Sequence, residues 1–131
     1  MDFEKLNVHL RHRLPGLMAI YLFGSQATGE AVTASDVDLA VLVAGIVEPL
    51  QLWELSGELA DIVGLPVDLV DLRSASTVMQ YQIVTTGRRL WASGVEAGIY
   101  EAFILGEKTR LDVARAGLLG DIYQEGVVHG R

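Results

Sequence analysis

The spacing of hydrophobic residues divides the chain into alternating helical and extended segments. Apolar residues that recur every three or four positions indicate amphipathic helices, and short continuous apolar runs indicate buried strands. Phe3, Leu6, Leu10 and Leu14 form the first helical pattern, which Pro15-Gly16 ends. The predicted strands are Leu17 to Phe23, Asp36 to Val43, Val67 to Leu72 and a short edge strand from Arg89 to Ala92.

Three further segments lie between or after these strands. Ser25 to Ala34 is small and polar, which suits a short helix or a turn. Glu48-Pro49 begins a helix that Gly64 and Pro66 end, and Ser74 or Ser76 is expected to cap another helix that runs to about Thr86. The helix from Glu48-Pro49 places the following residues on one side: Leu52, Leu55, Leu59, Ile62 and Val63.

The last third of the chain has a helical pattern interrupted by glycines. Apolar residues recur on one stripe, at Ile99, Phe103, Leu111, Ala114, Leu118 and Ile122. Gly98, Gly106, Gly117 and Gly120 weaken a helix, so we expect one or two breaks. Alternating strands and helices predict an α/β (α+β) fold, with a small mixed β-sheet, helices packed on it and a helical C-terminal third. We expect a single domain over residues 1–131, with a core at 1–95 and a C-terminal helical segment at 96–131.

Composition narrows the classes of protein that fit. The chain has 131 residues, a formal charge of −7 and no cysteine. No apolar run reaches the roughly 18 residues of a membrane helix, and the N-terminus lacks the apolar core of a signal peptide. We therefore expect a cytoplasmic protein without disulfides or a membrane partner. The negative charge argues against binding extended nucleic acid, because that affinity comes mainly from Lys and Arg.

Two aspartates lie inside a strand that is otherwise apolar. Asp36 and Asp38 would project from the same face, with their Cα atoms about 7 Å apart. Unpaired carboxylates at such positions repel each other and lose hydration, whereas a divalent cation removes both costs. Oxygen ligands favour Mg²⁺ or Mn²⁺. The alternative is that the strand begins at Val37, which leaves Asp36 as a loop cap and Asp38 at an edge.

Two other features complete a candidate site. Gly24-Ser25 follows the first strand, where free backbone N–H groups and a hydroxyl can hold phosphate oxygens, although an ordinary tight turn would also explain the pair. Asp68 and Asp71 lie in the third strand and face opposite ways, so one of them can join the aspartates. We favour Asp68, because Asp71 stands where a strand-end turn or cap would explain it.

The pattern of Gly24-Ser25, Asp36-x-Asp38 and Asp68 resembles the nucleotidyltransferase superfamily of the polymerase-beta type. The small size is similar to its minimal nucleotidyltransferase (MNT) branch, and the C-terminal segment Gly117 to Arg131 also resembles that branch. Members commonly act as antitoxins paired with a HEPN-domain RNase toxin. The resemblance implies a nucleotidyltransferase-like fold, with residues 1–95 as the catalytic core.

By position, the resemblance implies that Gly24 and Ser25 bind the triphosphate of ATP, the substrate. It implies that Asp36 and Asp38 hold Mg²⁺, or Mn²⁺, and that Asp68 is the third metal ligand or the base. The expected reaction moves AMP from ATP onto a hydroxyl, such as that of a tyrosine, on the partner toxin. Two alternatives stay open: an antitoxin that masks its toxin without catalysis, and a nucleotidyltransferase for a small molecule. The candidate cations for the triphosphate are Arg73, Arg88, Arg89, Lys108 and Arg110.

Overall fold

The structure, a computed structural model, describes residues 2–24, 27 and 36–124, and the side chains of these residues as far as residue 117. The helices are α1 (Phe3–Arg13), α2 (Pro49–Val63), α3 (Thr77–Thr86) and α4 (Glu96–Gln124). The strands are β1 (Leu17–Phe23), β2 (Val37–Val43), β3 (Val67–Asp71) and β4 (Arg88–Ala92), and a short 3₁₀ helix spans Leu72–Ser74. Ser25 to Ala34, where a short helix or turn is expected, lies outside the described residues except for Ala27.

The four described strands form one mixed sheet in the order β3-β2-β1-β4. β1 is antiparallel to β2 and to β4, and β2 is parallel to β3. β2 is therefore an interior strand, which explains why its sequence is almost entirely apolar. The register pairs Phe23 with Asp38 across β1 and β2, and Asp38 with Asp68 across β2 and β3.

Helices cover both faces of the sheet. On one face, Leu6 and Leu10 of α1 and Leu55 and Leu59 of α2 join the same buried cluster as Leu39 of β2. On the other face, the buried cluster comprises Ile83 of α3, Ala97 and Ile104 of α4, and sheet residues that include Tyr21, Ala40 and Leu42. The predicted fold class is confirmed: a mixed sheet lies between layers of helices, and the C-terminal part is helical.

Several helix ends have the signals that the sequence provides. Pro49 lies in the first turn of α2, and Gly64 ends that helix with φ 73°. Ser76, rather than Ser74, caps α3 by accepting a hydrogen bond from the Met79 backbone N–H at 3.1 Å. These local interactions fix where α2 and α3 meet the loops around the sheet.

Four predictions about the elements need correction, the smallest being that β4 begins at Arg88 and not at Arg89. β2 begins at Val37, so Asp36 lies just before the strand, but Asp38 belongs to an interior strand and not to an edge. β3 ends at Asp71, one residue early, because the side chain of Asp71 caps the 3₁₀ helix that follows. The expected breaks in α4 are wrong: the helix is continuous across its glycines. Packing of Ala97 and Ile104 against the sheet offsets a helix cost of about 1 kcal/mol each at Gly98 and Gly106.

A polar contact ties α4 to the middle of β1. Tyr21 is almost fully buried, and its hydroxyl donates to Oε2 of Glu101 at 2.6 Å. Arg89 of β4 donates to the same oxygen at 3.2 Å. Burial and the carboxylate of Glu101 raise the pKa of Tyr21, so its hydroxyl stays protonated and keeps donating. None of the helices in the described part of the chain is long and apolar enough to span a membrane.

Candidate active site

Asp38 and Asp68 lie side by side on neighbouring parallel strands. They are register partners across β2 and β3, which places their Cα atoms about 4.8 Å apart. Asp38 is half-buried and Asp68 is exposed. Because Asp38 is two residues from Ala40, its side chain leaves the sheet face on which α3 and α4 pack.

The electrostatics of Asp38 reflect this crowding. Burial raises the pKa of its carboxyl group, and the negative charges of Asp68 and Asp36 raise it further. Asp36 is exposed in the residue before β2. The charged form of Asp38 is thus disfavoured by its surroundings, and a bound cation is the partner that would favour it.

Gly24 brings the end of β1 against the same carboxylate. Its φ is 72°, a left-handed conformation that residues with a side chain rarely adopt. A Cβ atom at this position would lie 2.3 Å from Oδ2 of Asp38. The carbonyl of Gly24 accepts a hydrogen bond from the Ala27 N–H at 3.1 Å, which closes a tight turn. Ser25, the other predicted phosphate ligand, lies outside the described residues.

Asp71, the other acidic residue of β3, stabilises the fold and does not join the carboxylates of the site. Its buried carboxylate accepts hydrogen bonds from the Val47 N–H at 2.8 Å, the Arg73 N–H at 3.1 Å and the Ser74 hydroxyl at 3.2 Å. These donors belong to the loop after β2 and to the 3₁₀ helix after β3. The structure therefore brings Asp68 to Asp38 and uses Asp71 to close the strand end.

The donor set at Asp36, Asp38 and Asp68 suits a hard divalent cation, since it consists of carboxylate oxygens that crowd one another. After burial, the negative charges of Asp68 and Asp36 help to raise the pKa of Asp38. Within the described ranges, however, no three His, Cys, Asp or Glu side chains already converge as a metal-binding cluster. The site therefore consists of neighbouring carboxylates, of which Asp36 and Asp68 are exposed to solvent and Asp38 is half-buried.

The candidate cations are mostly committed elsewhere. Arg73 donates to the carbonyl of Val43 at 2.7 Å. Three more of the candidates form ion pairs: Arg89 with Glu101, Lys108 with Asp112 and Arg110 with Glu107. Arg88 is exposed, has its guanidinium over the ring of Phe3, and is the register partner of Leu22, two residues before Gly24. Its guanidinium therefore lies on the sheet face that α1 covers, opposite to the face from which Asp38 projects.

Sequence patterns miss two features near this site. The close approach of Gly24 to Asp38 depends on the antiparallel pairing of Phe23 with Asp38, which no local pattern reveals. The bond between Tyr21 and Glu101 joins residues that are 80 positions apart. The usable signal was the glycine at the end of a strand; nothing in the sequence indicates the second contact.

Comparison with known proteins shows the family of this chain. The sequence model of the family "Polymerase beta, Nucleotidyltransferase" matches residues 4–94. The protein adenylyltransferase MntA of Shewanella oneidensis is 39% identical over 122 residues, which cover 93% of this chain and 88% of MntA.

Solved structures agree with the sequence comparison. A toxin–antitoxin crystal structure with AMP-PNP superposes with a TM-score of 0.83 and 36% identity, over 94% of this chain and 99% of that chain. A tri-AMPylated Shewanella oneidensis HEPN toxin in complex with its MNT antitoxin gives a TM-score of 0.74 and 36% identity, over 92% of this chain and 94% of that chain. The chain belongs to the polymerase-beta nucleotidyltransferase family, in the branch of the MNT antitoxins.

Proposed function

We propose that this chain is a protein adenylyltransferase that moves AMP from ATP onto a hydroxyl of a cognate HEPN toxin, and that it is the antitoxin of that toxin. A tyrosine is the expected acceptor. The observation that carries the proposal is the register pair of Asp38 and Asp68, with Gly24 against Asp38 at the end of β1. The relatives described above, an adenylyltransferase and antitoxins in complexes with AMP-PNP or with an AMPylated toxin, support it.

The roles of the site residues form part of this proposal. Asp36, Asp38 and Asp68 would hold Mg²⁺, with Mn²⁺ as the alternative, and Gly24 and Ser25 would bind the triphosphate. A bound divalent cation supplies Lewis-acid chemistry, which lowers the pKa of an attacking hydroxyl and neutralises phosphate charge. Such an ion would stabilise the charged form of Asp38, which burial and the neighbouring carboxylates otherwise disfavour.

The proposed reaction balances as a simple displacement. The acceptor oxygen forms a bond to the α-phosphorus of ATP, the bond from that phosphorus to the α,β-bridging oxygen breaks, and pyrophosphate leaves. The hydroxyl proton passes to a base, for which Asp68 is the candidate because it is exposed beside Asp38. If Asp68 is instead only a metal ligand, the proton passes to water.

Intact mass spectrometry tests the proposal directly. Purified protein, ATP, Mg²⁺ and the cognate HEPN toxin should yield toxin with one or more added AMP groups. The Asp36→Asn/Asp38→Asn variant should yield none while keeping its fold by circular dichroism. Unmodified toxin after incubation with the folded wild-type protein would refute the transferase proposal.

Growth assays distinguish catalysis from masking. Cells that express the toxin should survive with the wild-type antitoxin and die with Asp36→Ala/Asp38→Ala. If the variant protects as well as the wild type, binding alone neutralises the toxin. Transfer of AMP to a small molecule, with the toxin left unmodified, would instead favour the small-molecule alternative.

The domain boundaries and the location belong to the same proposal. We propose residues 1–95 as the catalytic core and 96–131 as the C-terminal helical segment. In support, the family match ends at residue 94 and α4 begins at Glu96. The cytoplasm is the proposed compartment, because ATP is present there and because the chain has no cysteine to oxidise.

A further inference from the structure

α4 presents apolar side chains away from the sheet. Val95, Ile99, Phe103 and Val113 are 72%, 65%, 58% and 66% exposed. Residues four apart, or close to four full turns apart as Ile99 and Val113 are, lie on one side of a helix. This side is opposite to that of the fully buried Ala97 and Ile104. We call Ile99, Phe103 and Val113, together with Val95 just before the first residue of the helix, the outer face of α4. Exposed apolar residues that are grouped, as Ile99 and Phe103 are, mark an interaction site more often than scattered single residues do.

A preformed groove adjoins this face. Ile99 and Phe103 line a cavity of about 400 Å³ together with Met18, Arg73, Glu96 and Tyr100. The walls are held in place, since Arg73 binds the carbonyl of Val43 at 2.7 Å and its guanidinium lies 4.6 Å from the centre of the Tyr100 ring. A fixed, largely apolar groove suits an anchoring side chain from another protein.

The outer face lies on the same side of the molecule as the carboxylates. α4 packs on the sheet face from which Asp38 projects. α4 contacts two positions of β1. Tyr100 lines the groove with Met18 near the start of the strand, and Glu101 accepts a hydrogen bond from Tyr21 in its middle. Phe23, the register partner of Asp38, lies two residues farther along β1 than Tyr21. A protein bound along α4 would thus reach the carboxylates without passing around the sheet.

Charge helps to identify what binds there. The chain carries a formal charge of −7, so two copies of it repel each other at long range. The protein whose hydroxyl must reach Asp38 and Asp68 needs a surface on this same side. We propose that the outer face of α4 and its groove form the docking surface for the cognate HEPN toxin, an inference that rests on the proposed function.

Matched substitutions test this surface. Ile99→Asp/Phe103→Ala should weaken binding of the toxin about 30-fold or more, the effect expected when interface anchors are removed. The KM for the toxin should rise similarly, while kcat and the Kd for AMP-PNP stay within about two-fold, because the site for ATP lies elsewhere. Binding is measured by calorimetry with purified toxin, and transfer by intact mass over a series of toxin concentrations.

The controls carry the same changes at exposed residues on the opposite face of the sheet. Val8→Asp in α1 matches Ile99→Asp, and Trp53→Ala in α2 matches Phe103→Ala; Val8 and Trp53 are 52% and 74% exposed. Both should bind and modify the toxin normally. All variants should melt within a few degrees of the wild type, which shows that they fold.

The outcomes separate this inference from the proposed function. Toxin that binds the wild type and the Ile99/Phe103 variant equally well overturns the docking surface, whether or not AMP is transferred. Toxin that binds through α4 but is never modified upholds the surface and refutes the transferase. Light scattering that shows a dimer of the isolated chain, which the Ile99/Phe103 variant dissociates, would assign the face to a second copy and overturn the inference, as would a failure of toxin to bind at all.

Discussion

Asp38 and Asp68 are register partners on adjacent parallel strands, so two carboxylates stand one strand spacing apart on the same face of the sheet. Side chains that point together from neighbouring strands interact directly, and like charges at such positions destabilise a sheet. Burial raises the pKa of Asp38, and the negative charges of Asp68 and Asp36 raise it further. The candidate site thus lowers the stability of the fold that carries it.

Replacing Asp38 by Asn should raise the melting temperature while it removes activity. The variant eliminates a half-buried charge and its repulsion from Asp68 and Asp36. Transfer of AMP should fall by more than about 100-fold, because even outer partners of metal ligands cost about 10- to 100-fold. Differential scanning calorimetry without added metal, and intact mass of the toxin, measure the two effects. A variant less stable than the wild type would contradict the electrostatic account.

Gly24 and Gly64 provide a matched pair of substitutions. Both have a left-handed backbone, with φ of 72° and 73°, so alanine at either position should destabilise the fold by about 1–2 kcal/mol. A Cβ at Gly24 would lie 2.3 Å from Oδ2 of Asp38, whereas nothing lies within 4 Å at Gly64. Gly24→Ala should therefore lose transfer activity about 100-fold or more, and Gly64→Ala should keep it. Equal activity in the two variants would show that the contact with Asp38 is unimportant.

Asp68 and Asp71 lie in the same strand and should respond in opposite ways. Asp68→Asn should abolish transfer without lowering the denaturant midpoint, since Asp68 is exposed and its charge repels that of Asp38. Asp71→Ala leaves the buried Val47 N–H without its acceptor and should destabilise by about 1–3 kcal/mol. Its activity per folded molecule should persist. Urea unfolding and transfer assays on both variants measure this contrast, and a stable but inactive Asp71→Ala would reverse our assignment.

Much of the fold and of the candidate site follows from local sequence patterns. The apolar runs define β1 and β2, and side-chain alternation separates Asp68 from Asp71, because a strand has a period of two. What decides the remaining features is packing between distant segments. The glycines of α4 predict breaks, yet the helix is continuous, and burial of Ala97 and Ile104 supports it across Gly98 and Gly106.

Trp53 shows that sequence patterns also fail to predict which apolar residues are exposed on the surface. A tryptophan is expected in the core, but this one is 74% exposed on α2. A hydrophobic residue at helical spacing shows that a face is apolar, not what covers it. Sequence likewise gives no sign that Tyr21 meets Glu101, because that contact depends on how α4 crosses β1.

Glu58 should make the stability of the fold depend on pH in the acid range. It joins α2 to α1, since Arg13 donates to its two carboxylate oxygens at 3.0 Å each and Nε2 of His9 lies 2.6 Å from Oε1. The hydrogen bonds from Arg13 and His9 lower the pKa of Glu58 from 4.5 to about 2. A carboxyl group whose pKa is lower in the folded state stabilises the fold above its unfolded pKa, and loses this effect as the pH falls toward the folded pKa.

Glu58→Gln isolates this contribution, because every other carboxylate titrates in both proteins. At about pH 7 the variant should melt below the wild type, and the gap should narrow from about pH 5 downward and close near pH 2. Added salt should also narrow the gap, since the pair is partly exposed. Transfer activity at neutral pH should not change, because α1 and α2 pack on the sheet face opposite to Asp38. Thermal melts at several pH values measure the gap, and one that stays constant down to about pH 2 would show that the ion pair does not set the acid stability.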